Sequence, residues 1–162
     1  MLGYFLLTNE LLAVLRKAEA ARIVNVASGM AYGLELDDVE FKRRRYDASQ
    51  AYAQSKQANR MLTWALARRL EGTAITANAM APGACNTKLL HALYPGFGGR
   101  TAAQGADTAV WLANSPEVAG KSGRFWENRR EATCRFRDAD NEEALWSLCE
   151  SRRPSRRTSV KG

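Results

Sequence analysis

The chain has 162 residues, of which 46% are apolar, and a formal net charge of +7. One domain of this size is ordinary, and the apolar fraction is too high for a disordered chain. No apolar run approaches the roughly 20 residues that a membrane-spanning helix needs, and the apolar start lacks the basic flank of a signal peptide. We therefore expect a cytoplasmic protein, with peripheral membrane association left open.

Cysteine and histidine usage argues against a disulfide framework and a metal centre. Cys85, Cys134 and Cys149 are odd in number and have no paired spacing. The single histidine, His91, cannot build a multi-histidine site. The sequence predicts no metal ligands and is compatible with a reducing compartment.

The first half of the chain alternates helix and strand. Apolar spacing predicts a helix over residues 2–18. Residues 22–27 are short, β-branched and largely apolar, which is typical of a strand buried on both faces. Residues 30–48 are polar and predict a loop, and residues 49–71 predict a long helix that ends before Gly72.

The second half continues the alternation, and the last helix is followed by a basic tail. The predicted elements are strands over 74–80 and 123–126 and helices over 87–93, 101–114 and 141–151. In the helix over 101–114 we expect Ala106, Ala109, Val110 and Leu112 to face inward. This order predicts an α/β fold, a partial Rossmann-like parallel sheet of three strands with flanking helices. We expect one domain over 1–150 and a disordered basic tail over 151–162.

Two basic segments carry most of the surplus charge. They are Lys42 to Arg45 and the stretch 152–157. Such segments permit contact with nucleic acid or an anionic membrane. Because the tail has no interleaved aromatic residues to stack bases, a solvated loop and a frayed tail are favoured over a nucleic-acid binder.

Tyr52 and Lys56 are the most informative pair. They are four residues apart on a predicted helix, so they share one face. A neighbouring ammonium favours the phenolate, which suits proton exchange with an alcohol or ketone oxygen. The spacing alone is also that of an ordinary surface pair.

Three further positions follow the carboxyl ends of the predicted strands, where open α/β sheets bind ligands. Ser28 ends the first strand and could hydrogen-bond a substrate oxygen, or serve as a turn residue. The second strand ends in Pro82 and Gly83, with Thr87 four residues on. This turn could hold a flat, amide-bearing ring, or be a plain strand-to-helix connection.

Together these stretches resemble the C-terminal portion of a short-chain dehydrogenase/reductase. Within that superfamily the chain is most similar to the retinol-dehydrogenase-like and WW-domain-oxidoreductase-like branch. The matching stretches, in the order of the family, are 2–9, 21–28, 51–59, 66–72, 81–83, 105–113, 122–125 and 144–146.

The resemblance implies an oxidoreductase that transfers hydride between NAD(P)(H) and an alcohol or carbonyl substrate of lipophilic type. Tyr52 would be the general acid/base. Lys56 would assist Tyr52 and hold the nicotinamide ribose, and Ser28 would orient the substrate oxygen.

The cofactor implied is NAD or NADP, with a slight preference for NADP. Pro82, Gly83 and Thr87 would border the nicotinamide, with Thr87 near its carboxamide. In the family the helices matching 2–18 and 49–71 often form a dimer interface, so a second copy or a full-length homologue is the expected protein partner.

The chain also departs from the family pattern. It has no Gly-rich turn between a strand and a helix, and the family's catalytic asparagine would fall one position before Met1. We therefore expect weak cofactor affinity, an unpaired apolar edge at residues 23–26, and marginal stability or self-association. The alternative function is a non-catalytic interaction or dimerisation fragment of such an enzyme.

Overall fold

The computed structural model of the chain describes residues 1–153, apart from the side chain of Leu93. The predicted tail over 151–162 lies outside the described residues from Pro154 onward. Its first residue, Ser151, still belongs to the last helix.

Helices and strands alternate in the order that the sequence predicts. The helices in the described part of the chain are α1 Leu2–Leu15, α2 Ala48–Arg69, α3 Lys88–Leu93, α4 Ala102–Asn114 and α5 Ala139–Ser151. The strands in the same part are β1 Ala21–Val26, β2 Ile75–Ala81, β3 Phe125–Glu127 and β4 Arg130–Glu131. Short 3₁₀ turns cover Leu36–Asp38 and Pro116–Val118.

The strands form one sheet in the order β1-β2-β3-β4. β1, β2 and β3 are parallel, which confirms the predicted partial Rossmann-like fold. A fourth strand that the sequence did not predict, β4, returns antiparallel to β3. The turn between β3 and β4 uses Asn128 and Arg129, both with positive φ. Strand β4 has only two residues, which are too few to produce a periodic pattern in the sequence.

Side chains of β2 alternate between the two faces of the sheet. Ile75, Ala77, Ala79 and Ala81 belong to the core that the sheet shares with α1, α2 and α5, whereas Met80 belongs to a smaller core with α4. This alternation is the period of two that a pleated strand imposes. The small alanine side chains let α2 lie close to the sheet.

Helix α2 carries the centre of the larger core. Asp47 caps its N-terminus by accepting a hydrogen bond from the backbone N–H of Gln50 at 2.7 Å. Residues 58–67 are all buried, since α5 covers the side that the sheet does not. This stretch of the predicted dimer helix 49–71 is therefore used inside the chain.

Helix α1 differs from α2 in how much of its apolar surface is open. Leu7, Leu11 and Val14 are exposed, and Phe5 is buried against Trp146 with ring centroids 4.8 Å apart. Of the two predicted partner helices, α1 is the one with an open apolar face.

Strand β1 lies at the edge of the sheet, as predicted. Among the described residues its neighbour is β2 alone. Arg22 donates to the carbonyl oxygens of Leu112 and Ser115 at 3.1 and 2.7 Å, which holds the C-terminal end of α4 beside β1.

The inward face predicted for α4 is wrong in part. Leu112 is buried and Ala109 half-buried, but Ala106 and Val110 are exposed. Gly105 and Thr108 lie on the buried side instead. The helix is rotated relative to the prediction because Thr108 accepts a hydrogen bond from the backbone N–H of Arg129 at 3.2 Å, in the β3–β4 turn.

None of the helices within residues 1–153 combines the length and hydropathy needed to cross a bilayer.

Candidate active site

The carboxyl ends of β1 and β2 lie side by side. Val26 pairs with Met80, and the backbone N–H of Ala27 donates to the carbonyl oxygen of Met80 at 2.8 Å. Parallel pairing therefore places Ser28 and Pro82, which follow the two strands, at the same edge of the sheet.

A cleft of about 500 Å³ opens at this edge. Five of the six residues predicted from the sequence line it, namely Ser28, Tyr52, Pro82, Gly83 and Thr87. The rest of the lining is mostly apolar and includes Met30, Leu89, Leu90, Tyr94 and Phe97. Lys56, the sixth predicted residue, is not part of the lining.

Ser28 is half-buried and held by two contacts. Its hydroxyl oxygen accepts a hydrogen bond from the backbone N–H of Met30 at 3.1 Å. Its carbonyl oxygen accepts one from the guanidinium of Arg60. The serine thus serves in a turn, and its hydroxyl proton remains available to a group in the cleft.

Tyr52 and Lys56 lie one turn apart near the start of α2. The Lys56 Nζ atom is 5.7 Å from the centroid of the Tyr52 ring and 5.8 Å from that of Tyr4. It donates to the carbonyl oxygen of Val26 at 3.1 Å. Burial lowers the pKa of Lys56. The ammonium therefore lies behind the phenol as seen from the cleft: it is near the Tyr52 ring but not part of the lining, and it is held at the last carbonyl of β1.

Gly83 and Thr87, which follow β2 in the chain, form a second wall of the cleft. Gly83 has a φ of +76°, and a Cβ added there would lie 3.1 Å from Nε of Arg100. Thr87 is exposed and caps α3, its hydroxyl oxygen accepting from the backbone N–H of Leu90 at 3.2 Å. This wall offers one hydroxyl, and there is no carboxylate among the described lining residues of the cleft.

Sequence reasoning missed Arg60, which holds the backbone of the site by donating a hydrogen bond to the carbonyl oxygen of Ser28. It lies four residues after Lys56, so the helical spacing that linked Tyr52 to Lys56 extends to it. Its charge argued for solvent exposure, yet the side chain is only 5% exposed and lies over the ring of Phe125. The apolar side chains Tyr94 and Phe97 had no periodic signal, because they lie in an irregular segment.

No group of three histidine, cysteine, aspartate or glutamate side chains that could hold a metal ion occurs among the described residues. The chemically useful groups of the site are the hydroxyls of Ser28, Tyr52 and Thr87, the ammonium of Lys56 and the backbone around Gly83.

Comparison with known proteins places this chain in a family. Residues 1–96, more than half of the chain, match the model of the short chain dehydrogenase family. Human retinol dehydrogenase 14 is 38% identical over 165 residues, covering 92% of this chain and 49% of its own length. Human retinol dehydrogenase 13 is 32% identical over 166 residues, covering 90% of this chain and 50% of its own length. The chain thus spans about half the length of these relatives.

Solved structures show the same architecture. An uncharacterised protein from Mycobacterium paratuberculosis matches with a TM-score of 0.63 and 28% identity, over 82% of this chain and 50% of that one. A 3-oxoacyl-[acyl-carrier protein] reductase from Brucella melitensis with bound NAD matches with a TM-score of 0.54 and 26% identity, over 76% and 45%. With the family match over residues 1–96, these likenesses establish that the chain is a retinol-dehydrogenase-like member of the short-chain dehydrogenase family.

Proposed function

We propose that this chain supplies the catalytic half of a site at which hydride passes between NAD(P)(H) and the alcohol or carbonyl group of a lipophilic substrate. The observation that carries the proposal is the convergence of the Ser28 and Tyr52 side chains with Gly83 and Thr87 in one cleft, with Lys56 behind Tyr52. Hydroxyls beside a reacting oxygen can transfer a proton to it and orient it by hydrogen bonds.

The groups around the cleft suit the nicotinamide end of the cofactor. Hydroxyls on Tyr52 and Thr87 and the ammonium of Lys56 are donors of the kind that a carboxamide and a ribose diol accept. Gly83 lines the cleft with a positive φ, a backbone conformation that residues with a side chain rarely adopt.

The adenosine and pyrophosphate end finds no comparable cradle in the part of the chain that the structure describes. No Gly-rich turn joins a strand to a helix within residues 1–153. We therefore expect weak binding of the whole dinucleotide. Choice between NAD and NADP depends on groups near the adenosine ribose, so the slight preference for NADP rests on the resemblance alone.

The residues of this chain divide the work of proton transfer. A bound nicotinamide supplies or accepts the hydride. The Tyr52 hydroxyl donates its proton to the substrate oxygen in reduction and takes it back in oxidation. The Ser28 hydroxyl donates a hydrogen bond to the same oxygen, and the Lys56 ammonium stabilises the negative charge left on the phenolate.

The apolar part of the cleft supports a lipophilic substrate. Met30, Leu90 and Phe97 present hydrocarbon and aromatic surface in the same cleft as the Ser28 and Tyr52 hydroxyls. Burying such surface against a substrate chain is favourable by about 25 cal/mol per Å². The names of the retinol dehydrogenase relatives point to the same class of alcohol or aldehyde.

Tyr52→Phe tests the chemistry. We expect it to lower kcat for NAD(P)H-dependent reduction of a panel of apolar aldehydes by about 10²–10⁴-fold, because the proton donor is removed. Tyr46→Phe is the matched control, since Tyr46 is exposed and lies outside this cleft. Measurable activity that is equal in Tyr52→Phe and the unaltered chain would refute the role of the phenol.

Binding of the nicotinamide end can be measured without turnover. In NMR titrations with nicotinamide mononucleotide, the amide signals of Gly83 and Thr87 should shift, and Thr87→Val should weaken the binding. Titration that leaves both signals in place would contradict the cofactor half of the proposal.

The exposed face of α1 favours a second candidate function. Leu7, Leu11 and Val14 are 64%, 45% and 62% exposed, and their spacing places them on one side of the helix as an exposed apolar stripe. A non-catalytic fragment could use this face to associate with a second copy or a full-length relative. Co-sedimentation with such a relative, without turnover, distinguishes this role from catalysis.

A further inference from the structure

Arg60 is a buried cation with no carboxylate partner among the described residues. Its side chain is 5% exposed, and its guanidinium carbon lies 3.4 Å from the ring centroid of Phe125 and 5.5 Å from that of Phe136. Removing a charge from water without an opposite charge beside it is energetically unfavourable. The groups that the guanidinium does contact therefore need an explanation.

Besides the two rings, the guanidinium has a carbonyl and a thiol as hydrogen-bond partners. One terminal nitrogen donates to the carbonyl oxygen of Ser28. The other lies 3.4 Å from Sγ of Cys134, within hydrogen-bond distance for sulfur, and Nε has no partner. Of these contacting groups, Cys134 is the one that can become an anion, so a thiolate there would neutralise the buried cation.

Cys134 is reachable from solvent through a second cleft. The side chain is half-buried and borders a cleft of about 470 Å³. This cleft shares no lining residue with the one around Tyr52. A small reagent can therefore approach the sulfur without entering the proposed active site.

The walls of the second cleft carry more positive than negative charge. Arg124 and Arg137 both line it, with Glu131 as the carboxylate among its lining residues. Arg124 pairs with Glu131 at 2.8 Å. Arg137 lies 3.9 Å from Glu142, a carboxylate that already pairs with Arg68. Counting Arg60 beneath the sulfur, the surroundings favour an anionic reagent.

We propose that Cys134 is a thiol-modification site that takes small anionic disulfides. The Cys134 thiolate attacks one sulfur of the reagent, and a mixed disulfide forms as the S–S bond of the reagent breaks. The released half leaves as a thiolate and takes up a proton. Cys134 is oxidised and the released half is reduced, so no further oxidant is needed.

The other two cysteines provide internal comparisons. Cys149 is fully buried, and burial raises the pKa of its thiol. Cys85 is half-buried, but its sulfur lies 3.7 Å from the carbonyl oxygens of both Pro82 and Gly83, whose partial negative charge opposes a thiolate. Both should react more slowly than Cys134.

The test uses oxidised glutathione as the anionic probe and cystamine as the cationic one. Modification rates at each cysteine are read by intact-mass measurement and peptide mapping. We expect Cys134 to react about tenfold faster than Cys85, and Arg60→Met to lower the Cys134 rate by about tenfold. Arg137→Gln should reduce the preference for oxidised glutathione over cystamine, because it removes a charge from the cleft.

Circular dichroism shows whether Arg60→Met remains folded. If it does not, the relative rates of the three cysteines in the unaltered chain and the Arg137→Gln result decide. Equal rates at Cys134 and Cys85 would overturn the site. Equal rates with both probes would overturn the anionic class.

Discussion

Among the described residues, 18 buried apolar side chains form a single cluster on one face of the sheet, whereas the face that α4 covers has a cluster of four. The face with the larger cluster, the deep face, includes the buried side chains of Trp64, Leu66 and Leu145. The face that α4 covers, the thin face, has Met80, Leu112 and Trp126. The two sides of one sheet thus differ greatly in how much apolar surface they remove from water.

The difference bears on where the proposed chemistry lies. Tyr52 and Lys56 are on α2, whose second half is buried in the deep face, so the phenol and the ammonium are placed by a rigid element. Thr87 is exposed on the connection that follows β2. We infer that Tyr52 and Lys56 are held in fixed positions, while the wall formed by Gly83 and Thr87 can adjust to what it binds.

The largest effect should come from Trp64 in the deep face. Trp64→Ala should lower the free energy of unfolding by about 3–5 kcal/mol, because it opens a cavity in a core that cannot collapse around it. Urea unfolding followed by circular dichroism measures this. Trp64→Phe is the control and should cost far less, since it keeps most of the volume and removes an indole N–H that has no hydrogen-bond partner.

Leu112 should show the intermediate effect on the thin face. Leu112→Ala should cost about 2–3 kcal/mol, at the low end for a buried leucine, because few buried neighbours surround it. Val110→Ala, on the exposed side of the same helix, should change the unfolding free energy by less than about 0.5 kcal/mol. A Leu112→Ala cost equal to that of Trp64→Ala would remove the distinction between the two faces.

The smallest effect concerns an ion pair between α2 and α5. Hydrogen bonds from Arg69 and then Arg68 lower the pKa of Glu143 from 4.5 to about 2. A carboxyl whose pKa is depressed on folding stabilises the protein above its unfolded pKa. That stability is lost as the pH falls from about 4.5 to about 2.

Because Glu143 is 43% exposed, solvent limits its contribution to at most about 1 kcal/mol. The midpoint of urea unfolding should fall over this pH range, and Glu143→Gln should flatten that part of the profile. An unchanged profile in Glu143→Gln would show that other carboxyls dominate acid unfolding.

Local patterns predicted the elements that carry the site. The spacing of Tyr52 and Lys56 indicated a shared helical face, and the positions of Ser28 and Pro82 after two apolar runs indicated a shared sheet edge. Both inferences need only the geometry of one helix and of parallel strands. The roles assigned to these residues remain predictions that the variants above will test.

Other features had no local signal. β4 is too short for a period, and the inward side of α4 depends on a contact between Thr108 and a turn 21 residues away. Arg60 carries a helical spacing, but its charge argued for the surface, and its burial follows from Phe125 and Phe136 on distant segments. Such features depend on contacts between parts of the chain that a sequence window does not compare.

By itself the sequence determined the order of helices and strands, the parallel sheet and the residues that meet at its carboxyl edge, because hydrophobic periodicity and strand direction are local properties. Only the tertiary structure decided which faces are buried, that Lys56 lies behind Tyr52, and that Arg60 joins Ser28 to Cys134. The physical reason is that burial and long-range contacts depend on how whole elements pack, and each side chain responds to that packing.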